Sequence, residues 1–378
     1  ATSMKRIIKF KDTRARRVFR DQMQLADAAI TFEEVTIGKQ YFLITKHARM
    51  TTFNKEKRTL SQLTALSQTS ILSHEEDKEV KALDVQEGAP WHLDRIDQDG
   101  LPLDGKFEYE NPNGEVNVYV LDTGIRITHN DFEGRAHAGF SALSSWYPAG
   151  QDCHGHGTHV AGLVGGKTYG VNKKATLFDV RVLDCRGSGS ISGILQAIEW
   201  VANNHKKPAV INMSLGGDFS QSLNDAVDEL ERAGVLSVVA AGNENQDACR
   251  VSPASAASAL TIGSTTKSDT RSSFSNYGSC VHLYSPGSDI VSLGHATNSA
   301  TQTMSGTSMA SPISCGVASS ILANNKNLSP AELKQAVLDA ADDSVSSTIR
   351  PFLHYSSAPS CPEFTTGPDC ENTCGGLP

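Results

Sequence analysis

Apolar residues are spaced in two different ways along this chain, and the change falls near residue 84. Before it, Met-Lys-Arg-Ile-Ile-Lys-Phe at 4–10 reads as a short strand, and 12–29, rich in Arg, Gln, Ala and Asp, as a helix. Two further strands, 31–37 and 40–47, are separated by Gly38-Lys39, and Leu60, Leu63 and Leu66 recur at helical spacing within 55–68. Residues 70–83 look extended and end in Val80-Lys-Ala-Leu83. The order β-α-β-β-α-β is the split βαβ arrangement, so residues 1–86 are expected to form a small α+β ferredoxin-like domain.

Residues 84–113, rich in Asp, Gly and Pro, read as linker and loop. After them, continuous apolar runs at 116–121, 176–183, 208–215, 235–241 and 259–263 alternate with helix-like stretches at 156–166, 190–204, 221–233 and 308–324. A strand that is apolar throughout must be covered on both faces. Its alternation with helices predicts an α/β doubly wound parallel sheet over 87–357. Asp122, Ser214 and Asn243 close three of these runs, at the carboxyl ends where such sheets bind ligands.

Those polar residues belong to short, distinctive sequences. Val-Leu-Asp-Thr-Gly (120–124) carries Asp122, Gly-His-Gly-Thr-His-Val-Ala-Gly (155–162) carries His156, and Gly-Thr-Ser-Met-Ala-Ser-Pro (306–312) carries Ser308. A serine hydroxyl attacks a carbonyl only if an imidazole takes its proton, and the imidazole works best when a carboxylate orients it. Ser308 opens a small-residue helix, whose free N–H groups and partial positive charge suit a developing oxyanion. Pro312 is expected near the first turn, where its missing N–H has little intrahelical work. Asn243, after Val-Ala-Ala-Gly (239–242), is the candidate second oxyanion donor. Taken singly, these residues would be a turn Asp, an N-cap Ser and a helix His; the three sequences together point to acyl transfer. His156 and His159 share the spacing of a helical metal pair, but no third ligand is evident, and His159 reads as a buried structural histidine. Gly187-Ser188-Gly189 and Ser214-Leu215-Gly216-Gly217 are segments able to pair with an extended peptide.

With these motifs, residues 88–357 resemble the subtilases, most closely the proteinase K branch. Pro90-Trp-His-Leu-Asp-Arg-Ile96, Arg181-Val-Leu-Asp184, Ser252-Pro-Ala-Ser255 and Ser272-Ser-Phe-Ser-Asn-Tyr-Gly278 extend the match. The resemblance implies a serine endopeptidase with Ser308 as nucleophile, His156 as general base then acid, Asp122 as its orienter and Asn243 as oxyanion donor. Residues 187–189 and 214–217 would line the cleft. Ala240, Ala241 and Gly242 would help form a P1 pocket for apolar or aromatic side chains. Residues 1–86 would be an inhibitory, chaperone-like propeptide, cut by self-cleavage between Asp84 and Gly88, with Gln86/Glu87 the favoured bond, its last residues lying in the cleft and the cut segment either retained there or released. The chemistry requires no cofactor. Structural calcium is common in the family, yet Ala257, Ala259 and Thr266 stand at the matching site without a carboxylate. Val160 replaces the free cysteine of proteinase K.

Charge and cysteines refine this picture. Residues 1–86 hold 16 Lys and Arg against 11 Asp and Glu, leaving 18 against 31 for the remainder. Such opposite charges suit a basic prosegment on an acidic enzyme and argue against nucleic acid as the main partner. Expected partners are peptide substrates and the chain's own propeptide, with the molecule a monomer and no membrane span. The eight cysteines lack zinc-site spacing, and three crowd the tail at 358–378. They point to an oxidising, secretory setting. Cys153, Cys185, Cys249 and Cys280 match positions in a secreted convertase of the family, which implies the pairs 153–185 and 249–280. Cys315, on the Ser308 helix, is expected to be buried and unpaired.

Overall fold

The computed structural model describes residues 4–26, 30–47, 71–76, 84–110, 115–143, 146–342, 345, 349 and 351–355. The chain forms two compact units that divide at Lys81/Ala82. The expected second helix at 55–68 and the tail at 358–378 lie outside the described residues.

In the first unit, strands Met4–Phe10, Thr31–Ile37, Gln40–His47 and Ile71–Glu76 make an antiparallel sheet. The first strand sits between the third and fourth, as the split βαβ arrangement requires. Helix Thr13–Ala26 places Phe19 and Met23 against Ile8, Phe10, Ile30 and Leu43. Few large apolar residues suffice here because Arg16 works as a polar anchor. Its guanidinium donates to the carbonyls of Val35 and Phe42 and pairs with Glu34 at 2.8 Å.

The second unit is built on seven parallel strands. Across the sheet they run Leu283–Pro286, Leu260–Thr265, Leu236–Ala240, Ala209–Met213, Asn117–Asp122, Thr176–Arg181 and Ala136–Ser141. Both faces are covered. Val118 and Val120 point into one core with Val160, Val164, Met309 and Ile313, while Tyr119 and Leu121 point into the other with Ile194, Ile198, Leu223 and Val227. Helices His156–Gly165 and Thr307–Asn324 close the first face; Ile191–Asn204 and Gln221–Ala233 close the second. That two-sided burial is why the strands read as unbroken apolar runs.

The chain enters the sheet at Asn117–Asp122, goes to one edge with Ala136–Ser141, returns to insert Thr176–Arg181 between them, then crosses to Ala209–Met213 on the other side of Asn117–Asp122. Strand order therefore reverses between these two strands, and Asp122 and Ser214 stand at their carboxyl ends, the topological switch point at which such sheets bind ligands. Strand Asp84–Glu87 pairs with Lys106–Tyr109, so the segment read as linker is part of the second unit. No helix among the described residues is long and apolar enough to cross a membrane.

Candidate active site

Three strand ends and two helix starts meet at the switch point. Asp122 is fully buried, and its carboxylate accepts from Nδ1 of His156 at 2.8 Å through Oδ1 and 3.0 Å through Oδ2. A carboxylate can only accept, so Nδ1 carries a proton, and in the neutral ring Nε2 keeps its lone pair. Burial disfavours a charged His156 ring, but the Asp122 carboxylate, its hydrogen bond and more distant Asp152 outweigh that. The imidazole pKa is therefore raised above 6.5. The close approach needs Gly157: a Cβ there would stand 2.2 Å from the Gly124 carbonyl oxygen and 3.1 Å from Cβ of Asp122.

Asp152 holds the start of the His156 helix, and sequence reading missed it. Its carboxylate accepts from the N–H groups of His154, Gly155 and Thr158 and from the hydroxyls of Thr123 and Thr158. Burial alone would raise its pKa, but these donors hold it below the usual carboxylate value. An Asp just ahead of a helix start is a capping signal that could have found it.

Ser308 is half-buried in the first turn of Thr307–Asn324, and its hydroxyl donates to the Ser214 carbonyl at 3.3 Å. Pro312 lies inside this helix, beyond its first turn, which corrects the expectation of an idle N–H. Its missing N–H leaves the Ser308 carbonyl without the usual i+4 donor. The Ser214 hydroxyl supplies one at 2.8 Å, and Asn212 donates to that hydroxyl at 2.9 Å. Asn243 is exposed beside this turn. Its side-chain oxygen accepts from the N–H and hydroxyl of Thr307 at 2.8 and 3.0 Å, which turns the amide N–H groups away from Thr307.

A cleft of about 670 Å³ runs alongside. Gly187, Ser188, Gly189, Ser214, Leu215, Gly216 and Gly217 line it together with Thr123, His154 and His156. Ala240, Ala241 and Gly242 do not line this cavity; the two alanines are buried, and the Gly242 N–H donates to the Thr307 hydroxyl at 3.1 Å. Gln86 and Glu87 are also away from its walls. Gln86 donates to the Thr168 carbonyl at 3.0 Å and accepts from the Lys173 ammonium at 2.7 Å.

His159 is buried, its Nε2 within 3.1 Å of the carbonyls of Ile290 and Gln302, and burial lowers its pKa to about 4. Its Nε2 therefore serves as a donor, as a structural histidine should. No cluster able to hold a metal ion occurs among the described residues. The disulfides Cys153–Cys185 and Cys249–Cys280 are formed as the family resemblance implied, and Cys315 is free and buried.

Residues 113–354 match the model of the subtilase family. The chain is 51% identical over 271 residues to an extracellular serine proteinase of Thermus sp. (strain Rt41A), covering 72% of this chain and 66% of that protein. It is 42% identical to alkaline serine exoprotease A of Vibrio alginolyticus, covering 85% and 58%. A cuticle-degrading protease of Metarhizium anisopliae is 38% identical, with 94% and 90% covered. The crystal structure of a cold adapted subtilisin-like serine proteinase aligns with a TM-score of 0.68 at 44% identity, covering 72% of this chain and all of that one. The chain belongs to the subtilase family, and its second unit has the subtilisin-like fold. It spans only about two thirds or less of the Thermus and Vibrio relatives.

Proposed function

We propose that this chain is a secreted serine endopeptidase, made as a zymogen that cuts itself, with Asp122, His156 and Ser308 as its triad. The observation that carries the reading is the buried Asp122 carboxylate on Nδ1 of His156, at the strand ends where Ser308 and Asn243 also stand. Nε2 of His156 takes the Ser308 proton as Oγ attacks the peptide carbonyl. The tetrahedral oxyanion accepts from the Ser308 N–H and the Asn243 amide. His156 then gives its proton to the leaving amine, and water hydrolyses the acyl-enzyme by the same steps in reverse roles. The substrate backbone lies along 187–189 and 214–217. The preference for apolar or aromatic P1 residues is what the family resemblance implies for the small residues Ala240, Ala241 and Gly242, which precede Asn243 outside the walls of the described cleft. Extracellular action is supported by the two disulfides and by the names of the relatives.

Residues 1–86 act as inhibitor and folding aid, and Gln86/Glu87 is the bond cut. The strand Asp84–Glu87 is paired with Lys106–Tyr109, so this bond must visit the cleft before that pairing forms. The test is incubation of the processed chain with peptide substrates and then with a serine-reactive phosphonate. Turnover and labelling of Ser308 are expected. Absence of both after removal of the prosegment overturns the peptidase in favour of a binding protein that keeps its propeptide as a plug.

A further inference from the structure

The two disulfides sit in opposite surroundings. Cys249 and Cys280 are half-buried, and Cys280 packs against the cluster of Ala241, Ala248, Val251 and Ala254. A polar neighbour there is the neutral Ser279 hydroxyl, 3.5 Å from Cys249 Sγ. Cys153 and Cys185 are both exposed. Beneath them the guanidinium of Arg181, itself only 2% exposed, places Nη2 2.8 Å from Cys153 Sγ and 3.9 Å from Cys185 Sγ.

Arg181 cannot swing away from the sulfurs. Nη1 donates to the carbonyl of Gln151 at 3.0 Å, and the guanidinium lies 5.1 Å from the centre of the Tyr147 ring. Asp152 holds the His156 helix, and Asp184 pairs with Arg186 at 3.2 Å and accepts from the N–H groups of Arg186 and Ser188. Buried Asp179 is the carboxylate that feels the Arg181 charge, and its Oδ2 accepts from the Gly150 N–H at 2.6 Å. The bridge itself joins the segment just before His156 to the cleft wall of Leu183 and Arg186–Ile191.

A cation beside a sulfur stabilises its thiolate, and a better-stabilised thiolate leaves faster in thiol–disulfide exchange. We propose that Cys153–Cys185 is a thiol-sensitive latch on the cleft, opened by small thiols while Cys249–Cys280 stays closed. An external thiolate bonds to the exposed Cys185 Sγ. The Cys153–Cys185 bond breaks, and its electron pair goes to Cys153 Sγ beside Arg181. A second thiolate then attacks the mixed disulfide, so two thiols are oxidised to one small disulfide and the bridge takes up two protons as two thiols. Opening frees the wall at 183–190 but leaves Asp152 holding His156, so substrate binding weakens more than turnover.

The order of opening is tested on the full Ser308→Ala chain, which cannot digest itself and does not require the peptidase reading. Graded glutathione, acid quench and alkylation followed by mass mapping should label Cys153 and Cys185 at least about tenfold ahead of Cys249 and Cys280. The first adduct should lie on Cys185, and Arg181→Met should narrow the gap. Simultaneous opening of both bridges, or earlier opening of Cys249–Cys280, overturns the proposal without any variant of Arg181. The functional arm rests on the peptidase reading and uses the processed enzyme. Selective reduction should raise KM severalfold with kcat nearly kept, and reoxidation should restore it. An unchanged KM after verified opening refutes the latch on the cleft.

Discussion

His156 and Ser308 both stand at helix starts on the same face of the sheet, but the two helices are held by opposite means. The His156 helix is held by charge. Buried Asp122 takes Nδ1, and Asp152 gathers the N–H groups of His154 and Gly155, just before the helix, and of Thr158 in its first turn. The Ser308 helix is held by neutral groups, through the Ser214 hydroxyl, the Asn212 amide that bonds both Ser214 and Ser311, and the Asn243 side-chain oxygen. The difference fits the chemistry proposed for each helix, in which His156 takes a proton and the Ser308 turn faces an oxyanion. Negative charge around His156 favours the imidazolium that forms as it takes the proton. A carboxylate at the Ser308 turn would instead occupy donors that the oxyanion needs and repel its developing charge.

The largest test of that comparison removes its neutral pole. Ser308→Ala should lower kcat on the order of 10⁶-fold, a loss of the kind a triad acting as a unit shows. Release of residues 1–86 should stop as well, as mass mapping of the expressed chain would show; continued release would mean another nucleophile. Asn243→Ala should lower kcat about 10²–10³-fold with little change in KM, because the amide acts on the transition state. A KM effect of similar size would make Asn243 a substrate contact instead.

The charged pole predicts a pH signature. As the proposed general base His156 must be neutral to act, and its pKa is raised above 6.5. The acid limb of kcat/KM should therefore lie above 6.5, with activity rising as pH rises through it. Stability runs the other way. A folded-state pKa above the unfolded value gives a contribution that is complete below about 6.5 and is lost as pH rises through the folded pKa. Asp152→Asn removes one of the charges that raise the imidazole pKa, so the acid limb should move to lower pH. Its unmatched donors should also cost about ten- to a hundredfold in kcat through misplacement of the ring. An unmoved limb would reduce Asp152 to a helix cap.

Much of this division was legible in the sequence, because two-sided burial leaves unbroken apolar runs and three of them are closed by the polar residues Asp122, Ser214 and Asn243. Five of the seven strands announced themselves that way. The two edge strands did not: Ala136–Ser141 leaves His137 and Ala138 exposed, which breaks its run, and Leu283–Pro286, though buried throughout, is only four residues long and holds Ser285 and Pro286. Helix Pro330–Asp339 also escaped, although Ser329 and Glu332 form a capping box. The motifs located Asp122, His156, Ser308 and Asn243, but the groups that hold them lie far apart in sequence. Nothing in Ser214-Leu-Gly-Gly says that its hydroxyl would replace a hydrogen bond lost at Pro312.

That replacement gives the smallest effect and the sharpest test of neutral anchoring. Ser214→Ala strips the donor from the part-buried Ser308 carbonyl, which is then left without its i+4 partner. An unsatisfied buried carbonyl costs about 1–3 kcal/mol, on the order of 2–4 °C in Tm per kcal/mol for a unit of this size. The substitution adds and removes no charge, so the acid limb of kcat/KM should stay in place while the unfolding midpoint falls. Pairing it with Pro312→Ala offers the carbonyl a backbone N–H again and should recover part of the loss. If the double variant is no more stable than Ser214→Ala, the serine hydroxyl is not substituting for the missing helix bond. If instead the acid limb moves with Ser214→Ala, the two helices are not held independently.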